Sequence, residues 1–244
     1  MNNKINLERI LYQKSYLYFV AFFLFMLWGF WFTYFTRILD QQNYRMHLHG
    51  VALIVWCIML IVQPFLIRNK KIQTHKTIGK FSYILVPFLM FSTIDLLKYT
   101  LNSKTVLRNM DALFIALVIN ALIVFLILYG LAIYHRRHGT IHARYMLCTA
   151  FPMFTPITDR IFSIHFPSML QFVPTVDGIP VAPVLGFAIA NALLIGLCIW
   201  DWLSHKRWNV FPFALILLLG YHFAVLNFYK YPFWVKFCEW FVSM

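Results

Sequence analysis

Seven stretches of about 20 mostly apolar residues run along this chain of 244 residues, and most ionisable residues lie between them or near their ends. A bilayer core is about 30 Å thick, and a helix of about 20 residues crosses it. Because lipid offers the backbone no hydrogen-bond partners, each stretch must form a helix. The sequence therefore predicts an all-α, seven-transmembrane helix bundle in a single integral membrane domain, residues 1–244. The predicted spans are Ser15–Leu39, Met46–Ile67, Thr77–Leu101, Asp111–Tyr134, Ala143–His165, Val181–Trp202 and Val210–Tyr229.

The composition and the distribution of charge support this interpretation. Hydrophobic residues make up 61% of the chain and charged residues 12%, against about 25% charged residues in soluble domains. Of the 21 lysines and arginines, 13 lie on one side of the predicted spans, which predicts a cytoplasmic N-terminus and an outside C-terminus. The net charge of +13 therefore indicates the lipid bilayer as partner, with no nucleic acid, and a multi-pass protein of the bacterial cytoplasmic (inner) membrane. The 13 residues are Lys4, Arg9, Lys14, Arg68, Lys70, Lys71, Lys76, Lys80, Arg136, Arg137, Arg144, Lys206 and Arg207.

Three segments outside the spans have a distinct composition. Residues 1–14 form a basic segment predicted to lie on the inner surface, and residues 231–244 form an aromatic segment predicted to lie in the outer interface. The loop Phe166–Pro180 contains three prolines and several apolar side chains. It is either a lid over an outward cavity or an interfacial loop.

The fifth predicted span contains Pro152 and Pro156, one turn before Asp159 and Arg160. A proline inside a helix lacks the backbone donor and clashes with the preceding turn. The pair therefore predicts a bend or break, and irregular backbone at membrane depth is tolerated where it lines a cavity or is buried in protein.

Polar residues within spans are costly and usually face the interior, which makes them functional candidates. The candidate catalytic residues are Asp95, Asp159 and Arg160, although Asp95 could instead pair with Lys98 three residues away. With the predicted topology these residues fall in the outer half of the bundle together with His49, His165 and His222, which predicts an outward-facing polar cavity.

His49 and His222 are predicted at similar depth, and they are the main candidates for a shared cofactor or metal site. His47 lies on another face of the same helix as His49 and does not join it easily at one ion. A second pair, His75 and His142, begins two helices at the inner face. These two are either solvated histidines in basic turns or a second pair of imidazole ligands.

The motifs His49-Gly50, Gln63-Pro64, His75-Lys-x-x-Gly79-Lys80, His142-Ala-Arg-Tyr-Met146 and Asp159-Arg160 carry a resemblance. Over roughly residues 45–160 the chain resembles an uncharacterised family of bacterial multi-pass membrane proteins, a domain of unknown function with His-centred helix starts. Lys76 and Lys80 stand where that family prefers arginine. The resemblance implies an ordered role for these histidines and no particular activity.

Three functions are consistent with these residues, and they leave open whether the protein is an enzyme. The first is a redox protein with b-type haem, held by His49 with His222 and by His75 with His142. The second is a zinc-dependent membrane lipid hydrolase, with His49, His222, Asp95 and Asp159 as candidate ligands. The third is a non-enzymatic carrier, channel or sensor that binds a lipid, quinone or small molecule in the outward cavity.

Overall fold

The computed structural model describes residues 14–102 and 106–243, and these residues are almost entirely helical. The helices are α1 (Ser15–Phe30), α2 (Tyr44–Arg68), α3 (Ile72–Leu101), α4 (Asn109–Tyr134), α5 (Gly139–Cys148), α6 (Phe154–His165), α7 (Pro183–His205), α8 (Val210–Asn227) and α9 (Pro232–Ser243). A short antiparallel hairpin, β1 (Thr175–Val176) and β2 (Ile179–Pro180), precedes α7.

Among the described residues, five helices are long and apolar enough to cross a membrane: α2, α3, α4, α7 and α8. The predicted all-α class is confirmed, and these helices match five predicted spans to within a few residues at most ends. The predicted number of seven spans and the orientation of the termini stay predictions.

The chain divides into two compact units, residues 1–96 and residues 97–244, and each is described by itself. This division does not test the predicted single membrane domain, which stays a prediction. In the first unit α1 packs against α2. In the second unit α4 packs against α8, and α7 packs against both α6 and α8. The core of the second unit includes Leu113, Leu128, Leu194 and Leu218, each at most 2% exposed.

The first predicted span differs from the structure, because α1 ends at Phe30 after 16 residues. The chain then continues through turns and a 3₁₀ turn at Phe35–Arg37. Tyr34 is buried there against α2: its hydroxyl bonds His47 Nδ1 at 3.1 Å, and its ring lies so close to Gly50 that a Cβ at Gly50 would approach it to 3.0 Å. We attribute the end of the helix to this contact, which draws the chain back onto α2.

The predicted disruption of the fifth span by its two prolines is confirmed. Helix α5 ends at Cys148, a 3₁₀ turn follows at Phe151–Met153, and α6 begins at Phe154. Pro152 lies in the 3₁₀ turn, and Pro156 lies in the first turn of α6, where a missing backbone donor is tolerated.

The predicted aromatic segment at the C-terminus forms the amphipathic helix α9, which buries Trp234, Cys238 and Phe241. The indole of Trp234 donates to the carbonyl of Ala112 at 3.0 Å and so fixes α9 against the start of α4. The interfacial position of this segment stays a prediction, and the predicted inner-surface segment 1–14 lies outside the described residues except for Lys14.

Candidate functional site

A partly open cavity of about 290 Å³ lies in the second unit, where the start of α4, the end of α6 and the start of α7 meet. Its volume is near the lower end of the range for small-molecule sites. The walls are mostly apolar, whereas the sequence predicted a polar cavity. The lining residues are Met110, Leu113, Phe114, Leu117, Asp159, Ser163, Leu170, Ile179, Pro180, Ala182 and Pro183.

Asp159 supplies the carboxylate in this lining, and Ser163, one turn further along α6, supplies a hydroxyl. Arg160, predicted beside Asp159 as a catalytic residue, folds back along α6, where its Nη1 donates to the carbonyl of Pro156 at 2.8 Å. The positive charge of Arg160 partly offsets the negative charge of the Asp159 carboxylate. The cavity therefore presents a carboxylate to a ligand within largely apolar walls.

The loop 166–180 covers one side of the cavity through Leu170, Ile179 and Pro180. Asp177 and Gly178 both have positive φ values, 51° and 76°, as the tight turn between β1 and β2 requires. This arrangement favours the lid over the plain interfacial loop.

The tip of the lid is attached to the start of α4 by the Asp177 carboxylate. That carboxylate accepts hydrogen bonds from Asn109 Nδ2 at 3.0 Å and from the backbone amide of Met110 at 2.9 Å. A carboxylate at a helix N-terminus satisfies a free amide and interacts favourably with the helix dipole. Both interactions hold the hairpin over the cavity.

His222 lies on α8, is 6% exposed, and is held in one orientation. Asn191 Nδ2 donates to its Nδ1 at 3.1 Å, and the ring of Phe187 stacks on the imidazole with centroids 3.9 Å apart. With Nδ1 accepting, the ring proton is on Nε2. Nε2 is buried and has no hydrogen-bond partner among the described residues. His222 therefore presents a buried, unused donor.

Two further buried hydroxyls belong to Tyr221 on α8, next to His222 in the chain, and to Thr155 on α6. Tyr221 is 2% exposed and Thr155, on α6, is 1% exposed. The two side chains are adjacent, yet within the part of the chain that the structure describes neither hydroxyl makes a hydrogen bond of acceptable geometry. We name Thr155, Asn191, Tyr221 and His222 the inner polar cluster. Of these four residues, His222 alone was predicted from the sequence as a site residue.

Near the C-terminal end of α7, Asp201 forms a buried ion pair with Arg144 of α5. Arg144 Nη2 lies 2.8 Å from Asp201 Oδ1, and the side chains are 3% and 1% exposed. The guanidinium lies over the ring of Phe211, and His205 Nδ1 is 3.6 Å from the same carboxylate oxygen. The sequence analysis counted Arg144 as a loop charge and overlooked Asp201. The signal was an acidic residue inside the sixth predicted span.

In the first unit, the predicted polar residues have partners within that unit. Arg45 Nε pairs with Asp95 Oδ2 at 2.9 Å, while Lys98 lies over the ring of Phe241 in the second unit's own fold. His49 Nδ1 lies 3.1 Å from Thr93 Oγ1. His47 instead contacts Tyr34, which confirms that the two histidines lie on different faces.

The two histidines predicted at the inner face each contact the preceding helix. His142 Nδ1 donates to the carbonyl of Ala132 near the end of α4 at 2.8 Å, where helix carbonyls lack partners within the helix. The side-chain amide of Gln63, with its nitrogen toward the imidazole, donates to His75 Nδ1. These contacts show both side chains stabilising their helical turns.

Within residues 14–102 and 106–243, no group of three or more His, Cys, Asp or Glu side chains could hold one metal ion. His49 and His222 belong to different units, so a site shared by them stays a prediction. The predicted haem and zinc ligands likewise stay predictions.

Comparison of the chain with protein-family models, with curated proteins and with solved structures yields no match. The resemblance to a family of bacterial membrane proteins therefore stays a prediction.

Proposed function

We propose that this protein is a non-enzymatic carrier or sensor that binds a small, mainly apolar amine inside a membrane. The observation that carries the proposal is the cavity with the Asp159 carboxylate between apolar walls. Apolar walls favour the hydrocarbon part of a ligand, and one placed polar group fixes its orientation. A carboxylate in such surroundings favours an ammonium group, with which it forms a charge-assisted hydrogen bond.

The proposal includes the topology that the sequence predicts: seven spans in a bacterial inner membrane, with the cavity and its lid facing outward. It rests on the excess of lysine and arginine at the opposite loops. Reporter fusions at Lys71, Arg137 and Lys206 should report the cytoplasm, and a fusion at Asp177 should report the exterior. A cytoplasmic signal at Asp177 would contradict the outward cavity.

The central experiment measures binding of phenethylamine to the detergent-purified protein by titration calorimetry. Changing Asp159 to Asn removes the charge and keeps the shape, so we expect the affinity to fall about tenfold or more, since a hydrogen bond to a charged group contributes about 1.5–3 kcal/mol. The matched control is Asp40→Asn, because Asp40 is an exposed acid in the first unit. An equal effect of both variants, or the absence of binding to the native protein, would refute the proposal.

A b-type haem is the second candidate, and His222 is the observation that favours it. A metal-ligating imidazole usually has its other nitrogen held by a polar neighbour. Asn191 occupies that position, and with its amide turned over it would accept from Nδ1 and leave the Nε2 lone pair for iron. Haem would supply reversible one-electron chemistry there. An absorption spectrum of the purified protein, with His222→Ala for comparison, tests this candidate.

A further inference from the structure

Thr155 of the inner polar cluster and Phe187, whose ring stacks on the cluster residue His222, each lie one helical turn from a residue that lines the cavity. On α6, Thr155 is four residues before the cavity residue Asp159; on α7, Phe187 is four residues after the cavity residue Pro183. Residues four apart lie on the same helix face, about 6 Å apart along the axis. The cluster therefore begins about one helical turn from the cavity lining on α6, and Asn191 lies two turns from it on α7.

The buried polar atoms of the cluster suit one kind of chemical group. His222 Nε2, Tyr221 Oη, Thr155 Oγ1 and Asn191 Oδ1 are buried and make no hydrogen bonds within residues 14–102 and 106–243. A buried polar atom without a partner has given up its hydrogen bonds to water without replacement, so a ligand group that bonds it is favoured. These atoms include donors and acceptors and carry no net charge while the imidazole is neutral, so a hydroxyl, which both donates and accepts, complements them.

The aromatic ring of Phe187 packs against two residues of this polar cluster. The ring of Phe187 stacks on His222 and meets Tyr221 edge to face, with centroids 5.6 Å apart. An aromatic ligand ring would continue this packing.

We propose that Thr155, Asn191, Tyr221 and His222 form an inner subsite for a hydroxyl group on the ligand whose amine binds Asp159. The inference rests on the proposed function and specifies its substrate class: an arylalkylamine with a hydroxyl at the far end of the ring. Such a molecule places an ammonium beside Asp159, its ring against Phe187 and its hydroxyl in the cluster.

The experiment compares tyramine with phenethylamine, which differs from it only by lacking the hydroxyl. We expect the native protein to bind tyramine about tenfold more tightly. Changing Tyr221 to Phe removes one hydroxyl at constant ring shape, and it should reduce that preference to about twofold. Thr155→Val should act in the same direction. The control Tyr129→Phe alters a buried tyrosine on α4 outside the cluster and should keep the tenfold preference.

The outcomes separate this inference from the proposed function. If phenethylamine does not bind, the cavity proposal itself is wrong. If it binds with Asp159 dependence but tyramine binds no better, or if Tyr221→Phe keeps the full preference, the inner subsite is refuted and the cavity stands. A haem absorption band that His222→Ala removes would also overturn the inference, because iron would occupy the position of the hydroxyl. If Tyr221→Phe unfolds at the same temperature as the native protein, misfolding is excluded as the cause of a lost preference.

Discussion

Replacing Arg144 by methionine is expected to destabilise the protein by about 3–5 kcal/mol, because it leaves the Asp201 carboxylate buried without its counter-charge. Asp201 is 1% exposed, and water cannot substitute readily for the guanidinium that lies 2.8 Å away. Methionine is close to arginine in length and apolar, so lost packing over Phe211 is a smaller part of the effect. Unfolding in mixed detergent micelles, followed by circular dichroism, measures the loss.

A second variant separates the buried charge from packing. Changing Arg144 to Met together with Asp201 to Leu removes both charges, and we expect most of the lost stability to return, since apolar replacement of a buried pair is often neutral or stabilising. The matched control is Arg137→Met, because Arg137 is exposed. An exposed substitution should stay within about 0.5 kcal/mol of the native protein. If Arg144→Met is as stable as this control, the ion pair does not stabilise the fold.

The helices that could be predicted from the sequence are those whose apolar length alone determines them. Five predicted spans correspond to α2, α3, α4, α7 and α8, and the break at Pro152 follows from the chemistry of proline. The first span could not be delimited in this way. Six of the nine residues 31–39 are apolar or aromatic, so composition does not mark the helix end, and α1 ends four residues before Tyr34, whose contact with Gly50 is a tertiary contact that no local pattern contains.

The candidate site was predictable only as separate residues. Asp159 and His222 stood out as ionisable groups in apolar stretches, and the structure places Asp159 in the cavity wall. Their partners could not be predicted from the sequence, because the rotation and depth of each helix decide which side chains meet. Asp95 pairs with Arg45, 50 positions away, although Lys98 is nearer in sequence. Asp177 similarly reaches the start of α4, 67 positions away in sequence, from the tip of the hairpin.

The inner polar cluster shows a further limit of sequence reasoning. Tyr221 and Thr155 are unremarkable in an apolar span, since hydroxyl groups there commonly bond within their own helix. Thr158 does so, with its hydroxyl donating to the carbonyl of Phe154 at 2.9 Å. Thr155 and Tyr221 differ only because packing encloses their hydroxyls without a partner. Only the tertiary structure shows this difference; the sequence around each residue does not.

The closest helix contact beside this cluster gives the second large expected effect. A Cβ added at Gly186 on α7 would overlap Thr158 Oγ1 and would lie 3.2 Å from the backbone Cα of Thr155 on α6. Changing Gly186 to Leu is therefore expected to destabilise the protein by about 3 kcal/mol, because overfilling a packed contact forces backbone shifts. It should also abolish the tyramine preference, since Thr155 would be pushed away from Tyr221.

The same helix provides the matched control at Gly196, where an added Cβ would meet nothing within 4 Å. Changing Gly196 to Leu should leave stability unchanged or raise it by up to about 1 kcal/mol, because leucine favours helix more than glycine does. Thermal unfolding of both variants in the same detergent compares the two positions directly. The double variant Gly186→Ala with Thr158→Ala lacks the overlapping oxygen, so we expect it to be more stable than Gly186→Ala alone. Equal unfolding temperatures for Gly186→Leu and Gly196→Leu would mean that α6 and α7 do not need this contact.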